Sequence, residues 1–410
     1  MSTMVKLHED TNFHYETMRA LGTVPFHGAD ITEIFNIMPN IKPGDFESWY
    51  HEWFNLAQRI LSTVDETKES LFSPVTLRNA YFRASHYIFM ADFFLHGNKS
   101  DPRIIECFKL WKKYFNKANA LLPIPGKHIT IKAKDFEMPG LVFRASEASV
   151  TNPRPTLIVG GGFESIMEET YHVFAVSALE RGYNVILYEG PGHRTLVETQ
   201  GKGFIAEWEE AVTPVVDYIF ANKDHELTFV DTDRIGLVGM SMGGYLAARA
   251  AAFEKRLAAV ILIDGVYSMM DACMQAFPQG RDAWEKRDAA EFDRLFEQDP
   301  STWSTNRRWF HDDLKFTFCV DSAFEAYKVM DKMSLENGVA QRIRMPAFIG
   351  EAVDDLFFKG QPIRVAEAIG GNATLKVFGV EQGGQYHCHS GGLVHMNQEV
   401  FEWFARIVGH

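Results

Sequence analysis

From Asp45 to about Leu122 apolar residues return every three or four positions. Phe46, Trp49, Tyr50, Trp53, Phe54, Ala57, Ile60 and Leu61 fall on one face, the period of an amphipathic helix. A second run, Thr76 to Leu95, stops at Gly97-Asn98-Lys99-Ser100-Asp101-Pro102, and a third starts at Pro102, where proline favours a helix start, and reaches about Ala120. The pattern predicts two or three antiparallel helices whose stripes are packing surface. Ahead of them, residues 1–45 are mixed, and Pro25, Pro39 and Pro43 interrupt any long element. An ordered lead of short helices is expected there.

After Pro123-Ile124-Pro125-Gly126 the period changes from helix to strand. His128–Lys132 and Leu141–Phe143 predict a two-stranded antiparallel lead-in. Strands at Thr156–Val159, Asn184–Tyr188, Arg234–Val238 and Ala258–Ile263 then alternate with helices near Glu168–Arg181, Phe204–Phe220 and Met242–Phe253. Such alternation predicts βαβ units and a parallel, doubly wound sheet covered on both faces. It pauses between Tyr267 and about Asn337, a helical stretch that carries Trp284, Trp303, Trp309 and Phe310. An insertion at that point lies over the carboxyl edge of the sheet, where α/β folds place their ligands. The sheet resumes at Ala347–Gly350, followed by a helix from Pro362, the strand Thr374–Phe378 and a closing helix at Gln398–Ile407. The expected division is a helical cap or dimerisation segment over 1–122, a core built from 123–265 and 338–410, and a lid over 266–337.

Composition narrows the function. The 410 residues are 46% hydrophobic and 23% charged, ordinary for a packed protein. Net charge is −13 with no basic stripe, which argues against nucleic acid as a partner. The four cysteines, Cys107, Cys273, Cys319 and Cys388, form no CxxC pair and fit a reducing, cytoplasmic setting. The opening MSTMVKLHEDTNFHYETMRALG has no apolar h-region, so no signal peptide is expected. Apolar runs fall well short of the roughly 20 residues that span a bilayer, so no membrane partner is expected either. Aromatic content is high at 13%. It can serve a large core, a subunit interface or a pocket for flat apolar molecules.

The chemistry gathers around Ser241. An apolar strand from Arg234 runs into Gly239-Met240-Ser241-Met242-Gly243 and directly out into an Ala-rich helix. This is the context of a nucleophile elbow, in which glycines let strand and helix approach and a strained turn lifts the serine hydroxyl clear of the sheet. A serine needs a base, and the base needs an orienting carboxylate. The chain order in this fold is serine, acid, histidine. The loop after Ala347–Gly350 offers Asp354 and Asp355, and the run Asp-Leu-Phe-Phe favours Asp355. The loop after the last strand offers His387 and His389, with His395 at the start of the final helix. His387 is taken as the base, with His389 a surface or supporting residue. His193 follows an earlier strand and is misplaced for that role. The Cys-x-His pair is too small a set for zinc, and neither a metal nor a cofactor is expected.

Oxyanion donors are expected from the N–H of Met242 and from Gly162 or Phe163, in the glycine-rich loop Gly160-Gly161-Gly162-Phe163-Glu164-Ser165. Glu164 is unusual there, because a carboxylate repels the charge an oxyanion hole stabilises. It is expected either to bind or protonate a polar substrate group, or to face solvent at a helix start with Glu168 and Glu169.

Taken together, Gly161-Gly-Phe-Glu-Ser, Glu168-Glu169, Tyr188-Glu-Gly-Pro-Gly, Val238-Gly-Met-Ser-Met-Gly-Gly, Asp355-x-x-Phe and Tyr386-His-Cys resemble the 2,6-dihydroxypseudooxynicotine hydrolase family. Its relatives include fungal hydrolases that shorten or release polyketides. The likeness covers most of residues 45–408. It implies an α/β-hydrolase fold, a triad of Ser241, Asp355 and His387, an oxyanion-loop glutamate at Glu164, a homodimer, and cleavage of a C–C bond in a β-diketone-like ketone. His193-Arg194 stand where relatives often carry glycine or glutamine, and the acid loop is longer. The reading that follows is a serine hydrolase acting on a C–C, ester or thioester bond of a hydrophobic, aromatic or polyketide-like small molecule, with Trp303, Trp309 and Phe310 of the lid against the substrate. The alternative is an acyltransferase or cyclase using the same triad.

Overall fold

The computed structural model describes residues 5–409; residues 1–4 and 410, the outermost ends of the first and last expected segments, lie outside the described residues. Eight strands form one sheet: β1 (Lys127–Lys132), β2 (Glu137–Phe143), β3 (Arg154–Gly160), β4 (Asn184–Tyr188), β5 (Val230–Met240), β6 (Ala259–Ile263), β7 (Ala347–Ala352) and β8 (Ala373–Phe378). Their order is β1-β2-β4-β3-β5-β6-β7-β8. The lead-in pair is antiparallel, β2 also meets β4 antiparallel, and every pairing from β4 through β8 is parallel. This is the α/β-hydrolase architecture. β3, β4, β6 and the second half of β5, Ile235–Met240, are almost wholly buried and rich in Val, Ile and Leu, as strands covered on both faces must be.

The helical segment ahead of the sheet contains helices Thr11–Gly22, Phe46–Ser62, Pro74–Asp92 and Pro102–Ala120. Asp10, Asp45 and Asp101 cap three of them by accepting backbone N–H bonds. Pro25 and Pro39 fall in short 3-10 turns. Trp49, Trp53 and Trp111 are fully buried, so the stripes are packing surface.

Two elements depart from the expected pattern. The helix expected at Phe204–Phe220 starts later, at Glu209, and runs to Asn222, while an additional short helix, Arg194–Gln200, precedes it and ends at Gly201 in a left-handed turn with φ +60°. The helix near Glu168–Arg181 carries a π turn at Tyr171–Ala175 between Met167–Thr170 and Val176–Glu180. Between β6 and β7 the inserted stretch holds Met269–Ala276, Arg281–Glu285, Ala289–Phe296, Thr305–Thr317 and Ala323–Lys332. No helix among the described residues is long and apolar enough to cross a membrane.

Candidate active site

Ser241 sits at the end of β5 with φ +60°, a left-handed conformation that is costly for a residue with a side chain. The glycines make this bend possible. A Cβ at Gly239 would lie 1.9 Å from the Gly243 carbonyl oxygen, and one at Gly243 would lie 2.5 Å from that of Gly161. The helix Gly243–Phe253 follows at once, and the Ser241 N–H donates to the Ile263 carbonyl at 3.0 Å. The hydroxyl is left facing a cavity of about 290 Å³.

Ser241 Oγ and His387 Nε2 are 2.8 Å apart, and His387 Nδ1 lies 2.8 Å from Asp355 Oδ2. Asp355 Oδ1 accepts the N–H groups of Phe357 and Phe358 at 2.6 and 2.8 Å. Burial pushes that carboxyl up, but His387 and the two N–H groups hold it below the usual aspartate range. Burial also works against charge on His387, yet Asp355, with Cys388 and Asp264, raises the imidazole well above its ordinary value. Asp354 is exposed, and its N–H is spent on the Gln385 carbonyl at 2.8 Å.

His389, expected at the surface or in support, is instead fully buried. Its ring packs on Phe378 with centroids 3.9 Å apart, Nδ1 faces the Gly384 carbonyl at 3.0 Å, and burial lowers it to about 4. His193 is also buried, its Nδ1 receiving the Gly190 N–H at 3.0 Å. His395 is half-buried beside Glu399.

The glycine-rich loop lies against the elbow. A Cβ at Gly162 would stand 2.7 Å from the Met242 nitrogen, so only glycine fits. The Gly162 N–H donates to Ser165 Oγ at 2.9 Å, which leaves Phe163 to supply any second donor beside Met242. Phe163, Trp309 and Phe310 line the cavity, and the Phe163 ring meets those of Trp309 and Phe310 at 5.6 and 6.1 Å.

Two residues expected at the substrate do not line this cavity. Trp303 donates its indole N–H to the Gln298 carbonyl at 2.9 Å and packs on His311, both within the lid. Glu164, at φ +59°, carries its carboxylate into a separate buried cluster, 3.4 Å from His96 Nδ1. Asp313 from the lid also contacts His96, while Asp92 lies 3.0 Å from His96 Nε2 and 3.0 Å from Arg194 Nη1. A negative charge here has cationic neighbours, and His96 lowers the Glu164 carboxyl against the effect of burial. Glu168 and Glu169 are buried, not solvent-facing: Glu168 meets Lys112 at 3.0 Å and Glu169 meets Arg19 at 2.6 Å.

Sequence reasoning missed several residues. Asp264 ends β6 at φ +64°, fully buried, with Oδ2 3.1 Å from His387 Nδ1 and accepting the Cys388 N–H at 2.7 Å. Burial and the Asp355 charge lift it to about 7, against the pull of His387. An aspartate closing the apolar strand Ala259–Ile263 at the carboxyl edge was the available signal. Tyr15, Glu16 and Arg19 of the helix Thr11–Gly22 also line the cavity. No local pattern marks them, since only tertiary packing brings that helix over the elbow.

Two triplets bring metal-ligand atom types within 4.8 Å of one another, Asp264 with His387 and Cys388, and His96 with Glu164 and Asp313. In the first, burial pushes the Cys388 thiol up to about 12, and His387 is already engaged by Ser241 and Asp355. In the second, Arg194 already brings cationic charge.

The sequence pattern of the alpha/beta hydrolase family matches residues 157–400. Hydrolase LUC6 of Fusarium sp is 30% identical, the alignment covering 99% of each chain. The 20-hydroxy-prefusarin hydrolase FUS2 of Gibberella moniliformis is 30% identical over 98% of this chain and 97% of its own. Among solved structures, 2,6-dihydroxy-pseudo-oxynicotine hydrolase superposes with a TM-score of 0.72 at 22% identity, covering 94% of this chain and 95% of that one.

Proposed function

The chain belongs to the alpha/beta hydrolase family, and we propose that it is a serine-dependent hydrolase acting on a hydrophobic aromatic or polyketide-like substrate at a C–C, ester or thioester bond. The observation that carries this reading is the unbroken line from Ser241 through His387 to Asp355, two contacts of 2.8 Å each, opening onto an aromatic-lined cavity.

His387 Nε2 takes the hydroxyl proton as Ser241 Oγ attacks the carbonyl carbon, and Asp355 stabilises the resulting imidazolium. The N–H groups of Met242 and Phe163 receive the oxyanion. On collapse, His387 returns the proton to the leaving group. That group is an alkoxide or thiolate for an ester or thioester, and an enolate carbon where a C–C bond breaks. Water, deprotonated by the same imidazole, then releases the acyl group. Because Glu164 is held by His96 outside the cavity, it is not placed to protonate the leaving group, and His387 takes that role.

The apolar walls formed by Phe163, Trp309 and Phe357 favour a second reading, in which water is excluded and another nucleophile takes the acyl group. Trapping the acyl-enzyme with and without an added amine or alcohol separates the two. For the main reading, a fluorophosphonate probe is expected to label Ser241, and Ser241→Ala to lower turnover of an aryl ester by on the order of 10³-fold or more. Near-normal turnover by that variant would remove Ser241 from the role.

A further inference from the structure

The cavity above Ser241 is apolar over most of its wall but has one ionic end that the triad chemistry does not use. Arg19, on the helix Thr11–Gly22, donates from Nε and Nη2 to the two oxygens of Glu169 at 2.6 Å each, and from Nη1 to Glu16 at 3.2 Å. The rings of Phe89 and Phe93 hold the guanidinium, their centroids 5.5 and 5.0 Å from its carbon. Three of its five N–H groups are thus committed, and the other two have no protein acceptor among the described residues. Glu16, Arg19 and Glu169 all line the cavity. On the same helix Tyr15 packs against His387, and Arg19 follows it by one turn, about 6 Å further along the axis. The ionic end thus lies on the wall of the same cavity, one helical turn beyond the Tyr15–His387 contact.

We propose that Glu16, Arg19 and Glu169 form a second recognition site inside this cavity, one that takes an uncharged oxygen of the substrate, a ketone or hydroxyl, away from the scissile carbonyl. The inference rests on the serine-hydrolase reading of the same cavity. It deepens that reading to a substrate class: a molecule with a hydrogen-bonding oxygen at each end of an apolar middle.

Charge selects the class. Arg19 and the other contacts of Glu169 hold that carboxyl down to about 2 against the effect of burial, so the Arg19–Glu169 pair is neutral as a unit. Burial lifts Glu16 to about 7, so below that pH its carboxyl is a neutral hydrogen-bond donor. A substrate carboxylate would meet the Glu169 charge. A ketone oxygen would meet the Glu16 hydroxyl and the remaining Arg19 donors. The charged and titratable groups facing Glu16 are Arg19 on its own helix, Glu169 opposite and His387 across the cavity, with His86 behind Glu169 at 3.9 Å.

The test uses two series of p-nitrophenyl esters, straight-chain alkanoates from pentanoate to nonanoate and their counterparts with a ketone at the penultimate carbon. The quantity followed is the ratio of kcat/KM for each matched pair, in which the ionisation of His387 cancels. At the chain length that spans the cavity, the ketone ester is expected to be preferred about tenfold below pH 7, with the preference declining as Glu16 ionises above about 7. In Glu16→Gln the preference is expected to stay level across that range, because an amide donates at every pH. No preference at any chain length, or an unchanged pH dependence in Glu16→Gln, overturns the site. If the wild-type enzyme neither takes the fluorophosphonate at Ser241 nor turns over either series, the serine reading falls and this inference with it. That outcome differs visibly from labelled, active enzyme that ignores the ketone.

Discussion

Asp264 Oδ2 approaches Nδ1 of His387 to 3.1 Å, the same nitrogen that faces Asp355 Oδ2 at 2.8 Å. Two acids from two strand ends share one imidazole nitrogen. They are not equivalent, since Asp355 is held below the usual range and Asp264 is lifted to about 7. Below about pH 7 Asp264 therefore keeps its proton while Asp355 carries the charge.

Removing the Asp355 charge takes away one of the influences that keep Asp264 neutral. We expect Asp355→Asn to retain more activity than the roughly 10⁴-fold loss typical when a triad acid becomes an amide, because Asp264 ionises and orients His387 in its place. Asp355→Asn combined with Asp264→Asn should fall the whole way. Steady-state kcat of the two variants on an aryl ester decides it, and equal values would deny Asp264 this role.

A base must be neutral to accept a proton, and His387 is held protonated by its carboxylates. The kcat/KM profile is expected to rise with pH, with a midpoint above the ordinary histidine value of 6.5. In Asp355→Asn the midpoint should move down. A wild-type midpoint at or below 6.5 would mean that this imidazole is not the group whose deprotonation limits the reaction.

Three carboxyls meet His96, and Arg194 also pairs with Glu198 at 3.1 Å, so the cluster holds more acid than base and favours a neutral carboxyl at its centre. Asp92 and Glu164 offset His96 and Arg194, while burial and the Glu164 charge raise Asp313 well above the usual range. Asp313→Asn should then cost under about 1 kcal/mol, whereas His96→Ala leaves buried carboxylates unpaired and should cost about 3–5 kcal/mol. Denaturant unfolding of the two variants measures the difference, and equal losses would contradict this assignment of charge.

Glycines divide by what surrounds them. A Cβ at Gly239 would strike the Gly243 carbonyl oxygen, while one at Gly338 meets nothing within 4 Å. Gly239→Ala should therefore abolish the elbow, seen as loss of both fluorophosphonate labelling and soluble protein. Gly338→Ala, strained only by its φ of +84°, should cost about 1 kcal/mol in thermal unfolding. Similar behaviour of the two would refute the steric account.

What was legible in the chain was local or followed a fixed order. The bend at Ser241 is written in five consecutive residues, and the alternation of strands and loops points to the two loops that hold Asp355 and His387, though not by itself to the choice over Asp354 and His389. Asp264 was hidden because a single strand-end acid reads as an ordinary turn until the His387 loop is folded against it. His389 reads in the sequence as a surface or supporting residue, and only the folded chain shows its ring buried against Phe378. Glu164 was read against a substrate because its partners His96 and Asp313 come from segments far away in sequence. The helix expected from Phe204 is placed too early because the apolar residues Phe204, Ile205, Ala206 and Trp208 precede the true start at Glu209.

Tyr15 Oη donates to the backbone oxygen of His387, 372 positions further along the chain. A ribosome releases the first of these segments long before it makes the second, and the early helix must wait without the surface it will cover. The cavity wall that Tyr15 shares with the His387 loop therefore closes only once two distant segments have both been made and folded together.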